Sequence, residues 1–192
     1  MTGQRSPRPL RADARRNRER LLDAAEAVFA ASGTGASTEE IAQRAGVGIG
    51  TVFRHFPTKE ALLAAVHERL LRRLGEAAER LTAADDPGAA FREFITLVAG
   101  ESPAKNAYAD ALAEAGVDVA GLGGEGRSLV APHLETLLLR ARGAGAVRAD
   151  VGFPELRALL IGVARAVETT PPGSVARSTV ITVFLDGLLP PR

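Results

Sequence analysis

Apolar residues recur at three- and four-residue spacing along most of the chain, and the places where that rhythm breaks divide it into helices. Leu21, Leu22, Ala25, Val28 and Phe29 share one face of a helix expected from about residue 11 to about residue 32. Residues before 11, with Pro7 and Pro9, read as a flexible lead. Gly33-Thr34-Gly35 stops the helix. Ser37-Thr38-Glu39-Glu40 has the form of a capping box, with Ser37 as N-cap and Glu40 reaching back, and it opens a short helix carrying Ile41, Ala42 and Ala45. Gly46 stands where a helix end needs positive φ, and the chain restarts at once over residues 49–56. Pro57-Thr58-Lys59-Glu60 breaks and recaps it ahead of a long helix, with Leu62, Leu63, Val66, Leu70 and Leu74 inward and Arg69, Arg72, Arg73 and Glu76 outward. Asp85-Asp86-Pro87 is a linker and helix start, since proline suits a first helical turn. Further helices are expected over 89–100, 103–115, 127–142, 154–169 and 174–189, the third kinked or delayed by Pro132. Period-two alternation is missing, so the fold class is all-α.

Length and charge sharpen this picture. A chain of 192 residues can bury one good core, or a small module beside a larger domain. The pattern favours the second: an N-terminal three-helix domain over 1–62, followed by a larger helical domain over 63–192. Net charge is only +1, but its distribution is uneven: residues 1–60 hold ten Lys/Arg against seven Asp/Glu. Arg5, Arg8, Arg11, Arg15, Arg16, Arg18 and Arg20 face only Asp13 and Glu19. Such a basic arm is an electrostatic footprint for nucleic acid, or else a solvated tail. The absence of cysteine excludes disulfides, thiolate metal sites and cysteine nucleophiles. No apolar run is long enough to span a membrane, and Asp23 and Glu26 interrupt what would be a signal core, so a cytoplasmic protein is expected.

Two short helices around a tight glycine turn form a helix-turn-helix. Ala42 lies where the first helix crosses the second, Gly46 makes the turn, and Val47 and Val52 pin the second helix to the core. Gly48, Ile49, Gly50, Thr51, Phe53 and Arg54 are left on or near its outer side. Small groups there pack poorly but let a helix sit deep in a major groove, where Thr51 can bond a base or phosphate and Ile49 can meet a thymine methyl. The two glycines carry no side-chain information, so sequence is expected to be read partly through DNA shape. His55 is either a satisfied core histidine or a phosphate contact. Lys59 begins a helix, where its charge opposes the dipole unless a phosphate neutralises it. Arg44 reads as a solvated helix residue within reach of the backbone.

Here a family resemblance becomes specific. "RLLDAAEAVFAASG" and "STEEIAQRAGVGIGTVFRHFPTKEALLAAV" are similar to the DNA-binding domain of the tetracycline-repressor (TetR) family of bacterial regulators from about Arg16 to Val66. "GAVRADV", residues 145–151, resembles the family's lead into its last two helices. The resemblance implies that Thr51, Phe53, His55 and Lys59 touch DNA bases or backbone, with Phe56 in the core. Phosphate contacts are also expected from Arg15 and Arg16 at the start of the first helix and from Ser37. The family commonly has tyrosine at the Phe53 position, whose hydroxyl reaches a phosphate, and Phe53 lacks that donor. Thr34 likewise stands where an aromatic is usual.

The resemblance further implies a homodimer on a palindromic operator, joined through its last two helices, with a small-molecule effector bound among the middle ones. Leu159, Val163 and Val167 on one stripe, and Ile181, Phe184 and Leu188 on the other, are candidate dimer residues; an intramolecular core is the alternative. Segments 91–98, 108–115 and 134–138 are expected around the effector, with Glu93, Tyr108, His133 and Arg165 as candidate polar contacts. Gly121, Gly123 and Gly126 match a G-x-G-x-x-G pattern, but no second strand follows, so nucleotide binding is disfavoured. His67 and His133 have no partner at metal spacing. The expected function is a transcriptional regulator, more a repressor than an activator, with no catalytic residues and no cofactor. The alternatives are a ligand-independent architectural DNA-binding protein and, more remotely, a nucleotide-dependent enzyme.

Overall fold

The apolar faces read from the sequence close into two cores joined by two shared helices. A computed structural model of the chain describes residues 8–118 and 124–190, which contain eight helices and no strand. In order these are α1 (Arg8–Ser32), α2 (Thr38–Ala45), α3 (Ile49–His55), α4 (Lys59–Thr82), α5 (Pro87–Glu114), α6 (Gly124–Gly143), α7 (Phe153–Glu168) and α8 (Val175–Gly187). Among these residues no helix is long and apolar enough to cross a membrane. Arg5 and the loop glycines Gly121 and Gly123 lie outside the described residues, as do the side chains of Arg8 and Arg11; Gly126 falls within α6.

The first core gathers Leu21, Leu22, Ala25 and Phe29 of α1, Ile41 and Ala42 of α2, Val52 of α3, and Leu62, Val66 and Leu70 of α4. It does not stop at residue 62. Tyr108 and Leu112 of α5 complete it, and the Phe29 and Tyr108 rings meet edge to face at 6.0 Å. The expected division between residues 62 and 63 falls inside α4, which runs unbroken through it and packs on both α5 and α6. The second core joins Phe91, Phe94 and Ile95 of α5, Leu137 and Leu138 of α6, Leu156 and Val167 of α7, and Leu185 of α8.

Helix ends carry the chemistry that their sequences promised, with three differences. Asp86 caps α5 by accepting from the Ala89 amide at 2.9 Å, with Pro87 in the first turn. Arg140 of α6 reaches the far end of α4, donating to the carbonyl of Ala84 at 2.7 Å and to that of Thr82. It thereby satisfies carbonyls that have no helical partner. The first difference is at α1, which is already helical at Arg8 rather than from about residue 11. The second is that 89–100 and 103–115 are not separate helices. They are one helix, α5, with Pro103 inside it. The small Ala99 stands four residues before the proline, and packing on α4, α6 and α7 outweighs the single backbone bond that proline removes. The third is that Pro132 does not delay α6, which starts at Gly124, ahead of the expected residue 127, and carries the proline inside it.

Candidate nucleic-acid interface and effector cavity

The helix-turn-helix is built by two devices that its sequence encodes. Ser37 is the N-cap of α2, its hydroxyl accepting from the Glu40 amide at 3.1 Å. The reciprocal half of the capping box is not made: the Glu40 carboxylate accepts from the Ser32 hydroxyl at 3.0 Å, so it ties α2 back to α1. At the other end Gly46 adopts φ 65° and ψ 37°. Its amide donates to Gln43 at 3.1 Å, and that of Val47 donates to Ala42 at 3.1 Å. This paired arrangement needs a left-handed residue and so favours glycine. Arg20 braces the turn, donating to the Ala45 carbonyl at 2.7 Å, while the Arg18 guanidinium lies 5.2 Å from the centre of the buried Phe56 ring. Arg18 and Arg20 therefore hold the motif together, a role the basic run did not reveal.

α3 buries Val52 and turns its other side outward. Ile49 is 37% exposed and Phe53, one turn on, 44% exposed. Gly48, Gly50 and Arg54 are exposed beside them, and a side chain at either glycine would meet nothing within 4 Å. Thr51 and His55 are half-buried along the flank. The Thr58 hydroxyl caps α4, accepting from the Ala61 amide at 3.1 Å, and this puts Lys59 at the first position of α4, directly after α3. Backbone and Thr58 hydrogen bonds, with Lys59 beside them, hold the Glu60 carboxyl below its ordinary range. Arg15, Arg44, Arg54 and Lys59 enter no ion pair among the described residues, whereas Arg16 pairs with Asp13. The α2 start, the α3 face and the α4 start thus offer hydroxyls, cations and uncluttered backbone around an apolar centre.

A lattice of charges fixes this head to the body. Arg69 of α4 bonds Asp23 at 2.5 Å and lies 3.6 Å from Glu26 and 3.8 Å from Glu19, all on α1. Arg73 adds a second contact to Glu26 at 2.8 Å. Burial alone would lower the Arg69 pKa, but the Asp23 hydrogen bond and the three carboxylates together leave it raised.

The four residues expected around an effector do not converge. Glu93 is exposed and pairs with Arg80 at 3.6 Å, while Arg165 is exposed and pairs with Glu168 at 2.8 Å. Tyr108 is buried in the first core, and His133 is half-buried on α6. A cavity of about 380 Å³ opens instead between α4, α5, α6 and α7. Lys105, His67 and Arg157 are its polar groups, and Leu71, Leu74 and Leu134 lead its apolar ones. The sequence carried a signal for His67: it sits within the inward stripe of α4, between Val66 and Leu70. Arg157 had none, being one arginine among many.

The candidate dimer stripes divide into two faces. Val163, Val167, Ile181 and Leu188 are buried in the chain's own second core, Val167 completely. Val163 also lines the outer groove that Leu159 and Phe184 border. Leu159 and Phe184 do face outward. They line a shallow groove with Gly162, Ala166, Val180 and Val183, of which Leu159 is 44% and Val183 66% exposed. Val183 stands in a run, residues 180–185, that is apolar but for Thr182, so periodicity alone does not say which of these side chains face outward.

Comparison with known proteins gives a consistent picture. Residues 21–66 match the model of the bacterial regulatory proteins of the tetR family, and residues 86–190 match that of the SbtR-like transcriptional regulator C-terminal domain. A TetR transcription regulatory protein from Mycobacterium vanbaalenii is 41% identical, with a TM-score of 0.73 over 94% of this chain and 99% of that one. The TetR transcriptional regulator SCO0520 from Streptomyces coelicolor is 33% identical, with a TM-score of 0.72 over 91% of this chain and 99% of that one. The TetR family transcriptional regulator PfmR from Thermus thermophilus shares the fold at 22% identity and a TM-score of 0.62, over 88% of this chain and 97% of that one.

Proposed function

The chain belongs to the tetracycline-repressor (TetR) family of DNA-binding transcriptional regulators, and on that premise we propose that it acts in the cytoplasm as a homodimeric repressor, released from a palindromic operator by a small molecule. Members of this family are transcription factors and not enzymes. The observation that carries the reading is the outer face of α3, where Ile49, Gly50 and Phe53 stand clear of the core between two capped helix starts. Such a face suits a major groove because nothing on it holds the helix away from base edges. Thr51 supplies a hydroxyl to base or phosphate. Ile49 offers apolar contact to thymine methyls, and the Phe53 ring packs along the sugar-phosphate backbone. Arg15, Arg16, Ser37, Arg44, Arg54, His55 and Lys59 grip phosphates and set register. The pair is completed by a second copy seated on the Leu159–Phe184 groove, a self-complementary contact of the kind two-fold dimers use.

Repression and release follow from one equilibrium. An effector that prefers the conformation whose two heads do not fit the operator shifts the population away from DNA by its difference in affinity for the two states. The test is selection from a random duplex library at two salt concentrations, with Thr51→Ala and Lys59→Ala in parallel. A recovered palindrome, relaxed selectivity for Thr51→Ala and uniformly weaker binding with a shallower salt slope for Lys59→Ala support the reading. No enrichment at either salt overturns it. Scattered, effector-insensitive sites point instead to an architectural protein.

A further inference from the structure

α3 carries two glycines that its own backbone does not call for. Gly48 is the N-cap at φ −74° and ψ 149°, Gly50 lies in the first turn, and neither has the positive φ that favours glycine. Among the described residues, a side chain at either would meet nothing within 4 Å beyond its own neighbours. Serine or aspartate at Gly48 would cap the helix, and alanine at Gly50 would stabilise it, so both glycines weaken α3. Glycine in such a place lets something outside the chain approach the backbone closely. Between the two stands Ile49, 37% exposed, whose side chain is all hydrocarbon. Thr51 beyond them is half-buried and Val52 is buried. Ile49 is thus flanked by bare backbone at the end of the reading helix that meets base edges in this motif.

We infer that Ile49 reads the C5-methyl group of a pyrimidine and no other feature of that base, so that thymine and 5-methylcytosine are equivalent to this protein at one position of each half-site. The inference rests on the reading of the chain as an operator-binding regulator and names the chemical feature of the DNA that α3 selects. In the major groove thymine shows an O4 acceptor beside its methyl, and cytosine shows an N4 donor in the same place. A side chain that hydrogen-bonds there tells the two apart. Ile49 has no polar atom, and the glycines on either side add no side chain, so the methyl alone decides. Uracil and unmethylated cytosine lack it and leave part of Ile49 against water. The glycines bring the helix near enough for this contact, because dispersion fades within a fraction of an ångström of separation. Methylation of cytosine at C5 therefore converts a weak half-site into a strong one without changing its sequence.

The experiment uses the operator recovered by selection and the full-length protein, with affinities read by gel shift at one salt concentration. Thymines are replaced by deoxyuridine one symmetric pair at a time, for the parent and for Ile49→Ala, with circular dichroism to show that the variant is folded. At the position so found, cytosine paired with guanine then replaces thymine, either unmodified or methylated at C5. Uracil is expected to weaken the parent about fourfold per half-site, the share of one buried methyl, and about fifteenfold for the symmetric pair. Ile49→Ala is expected to bind the thymine and uracil operators within about twofold of each other. The 5-methylcytosine operator is expected within about twofold of the thymine one, and the unmethylated operator as weak as uracil. Three results overturn the inference: uracil without effect at every thymine in the parent, a uracil penalty undiminished in Ile49→Ala, or methylated cytosine bound no more tightly than unmethylated. A protein that enriches no operator fails one step earlier and overturns the regulator reading as well. One that binds its operator but is indifferent to uracil overturns this inference alone.

Discussion

Replacing Arg69 by methionine tests whether the charge lattice is what fastens the DNA-reading head to the body. Methionine keeps most of the stem and removes the guanidinium, leaving Glu19, Asp23 and Glu26 facing α4 with only Arg73 to answer them. The contacts are unequal. Asp23 makes the shortest bond, 2.5 Å, but its side chain is 63% exposed and so strongly screened; it contributes about 0.5 kcal/mol. Glu26 is 22% exposed beside an Arg69 that is 19% exposed, and this less screened ion pair at 3.6 Å contributes about 1 kcal/mol. The total is about 1.5 kcal/mol. For a domain of this size it corresponds to a drop of roughly 3–6 °C in midpoint. The assay is thermal unfolding followed by helical circular dichroism, at fixed protomer concentration because the midpoint of the proposed dimer depends on it. High salt is expected to shrink the Asp23 share and spare the Glu26 share, so a double-mutant cycle with Asp23→Asn should give a coupling energy that falls as salt is raised. A midpoint within about 1 °C of the parent, or a cycle indifferent to salt, refutes the argument.

Three further outcomes follow from geometry already described. Gly46→Ala forces a side chain into φ 65° and places its Cβ 3.2 Å from the Arg20 guanidinium, so urea unfolding should show a loss of about 1–2 kcal/mol; an unchanged midpoint contradicts the left-handed turn. Tyr108 is the one tyrosine in a chain without tryptophan, and burial first, then Glu26 and Glu101, push its phenol up to about 12. The folded protein therefore keeps a proton that the unfolded chain loses near pH 10, so stability should fall as pH rises from about 10 to 12. Ultraviolet tyrosinate titration reads this directly, and a midpoint near 10 in folded protein would mean Tyr108 is not buried. Phe53→Tyr restores the hydroxyl common in the family at an exposed position; it should leave stability within about 0.5 kcal/mol and tighten operator binding roughly two- to tenfold. Unchanged affinity would place the ring away from phosphate.

Local signals in the sequence located the DNA-reading head almost to the residue. Ser37, Gly46 and the 49–56 restart each encode their own geometry within a few positions, and cap and turn chemistry depend on nearest neighbours. The same was true of Asp86-Pro87. Where the sequence fell short, the deciding partner lay far along the chain. Pro103 argued for a break, but what packs on both sides of it comes from α4, α6 and α7. Val167 looked equivalent to Leu159 because periodicity reports that a helix is apolar without saying which arc meets which neighbour. Lys105 and Arg157 lie 52 positions apart and share a cavity only because α5 packs on α7. No spacing rule connects them.

α4 is a single rigid strut, and its stiffness sets the leverage between its two tasks. Leu74, on the cavity wall, is separated from Lys59, beside the reading helix, by fifteen residues of unbroken helix, about 22 Å at 1.5 Å per residue. A rocking of about 5° pivoting near Leu74 swings the Lys59 end by about 2 Å. In the proposed homodimer, two-fold symmetry doubles the change in span to about 4 Å, set against half-sites about 34–36 Å apart on a rod that stretches very little. For the proposed regulator, a cargo that wedges the helices apart by less than the width of one atom is thereby geared up to a misfit that a double helix cannot follow.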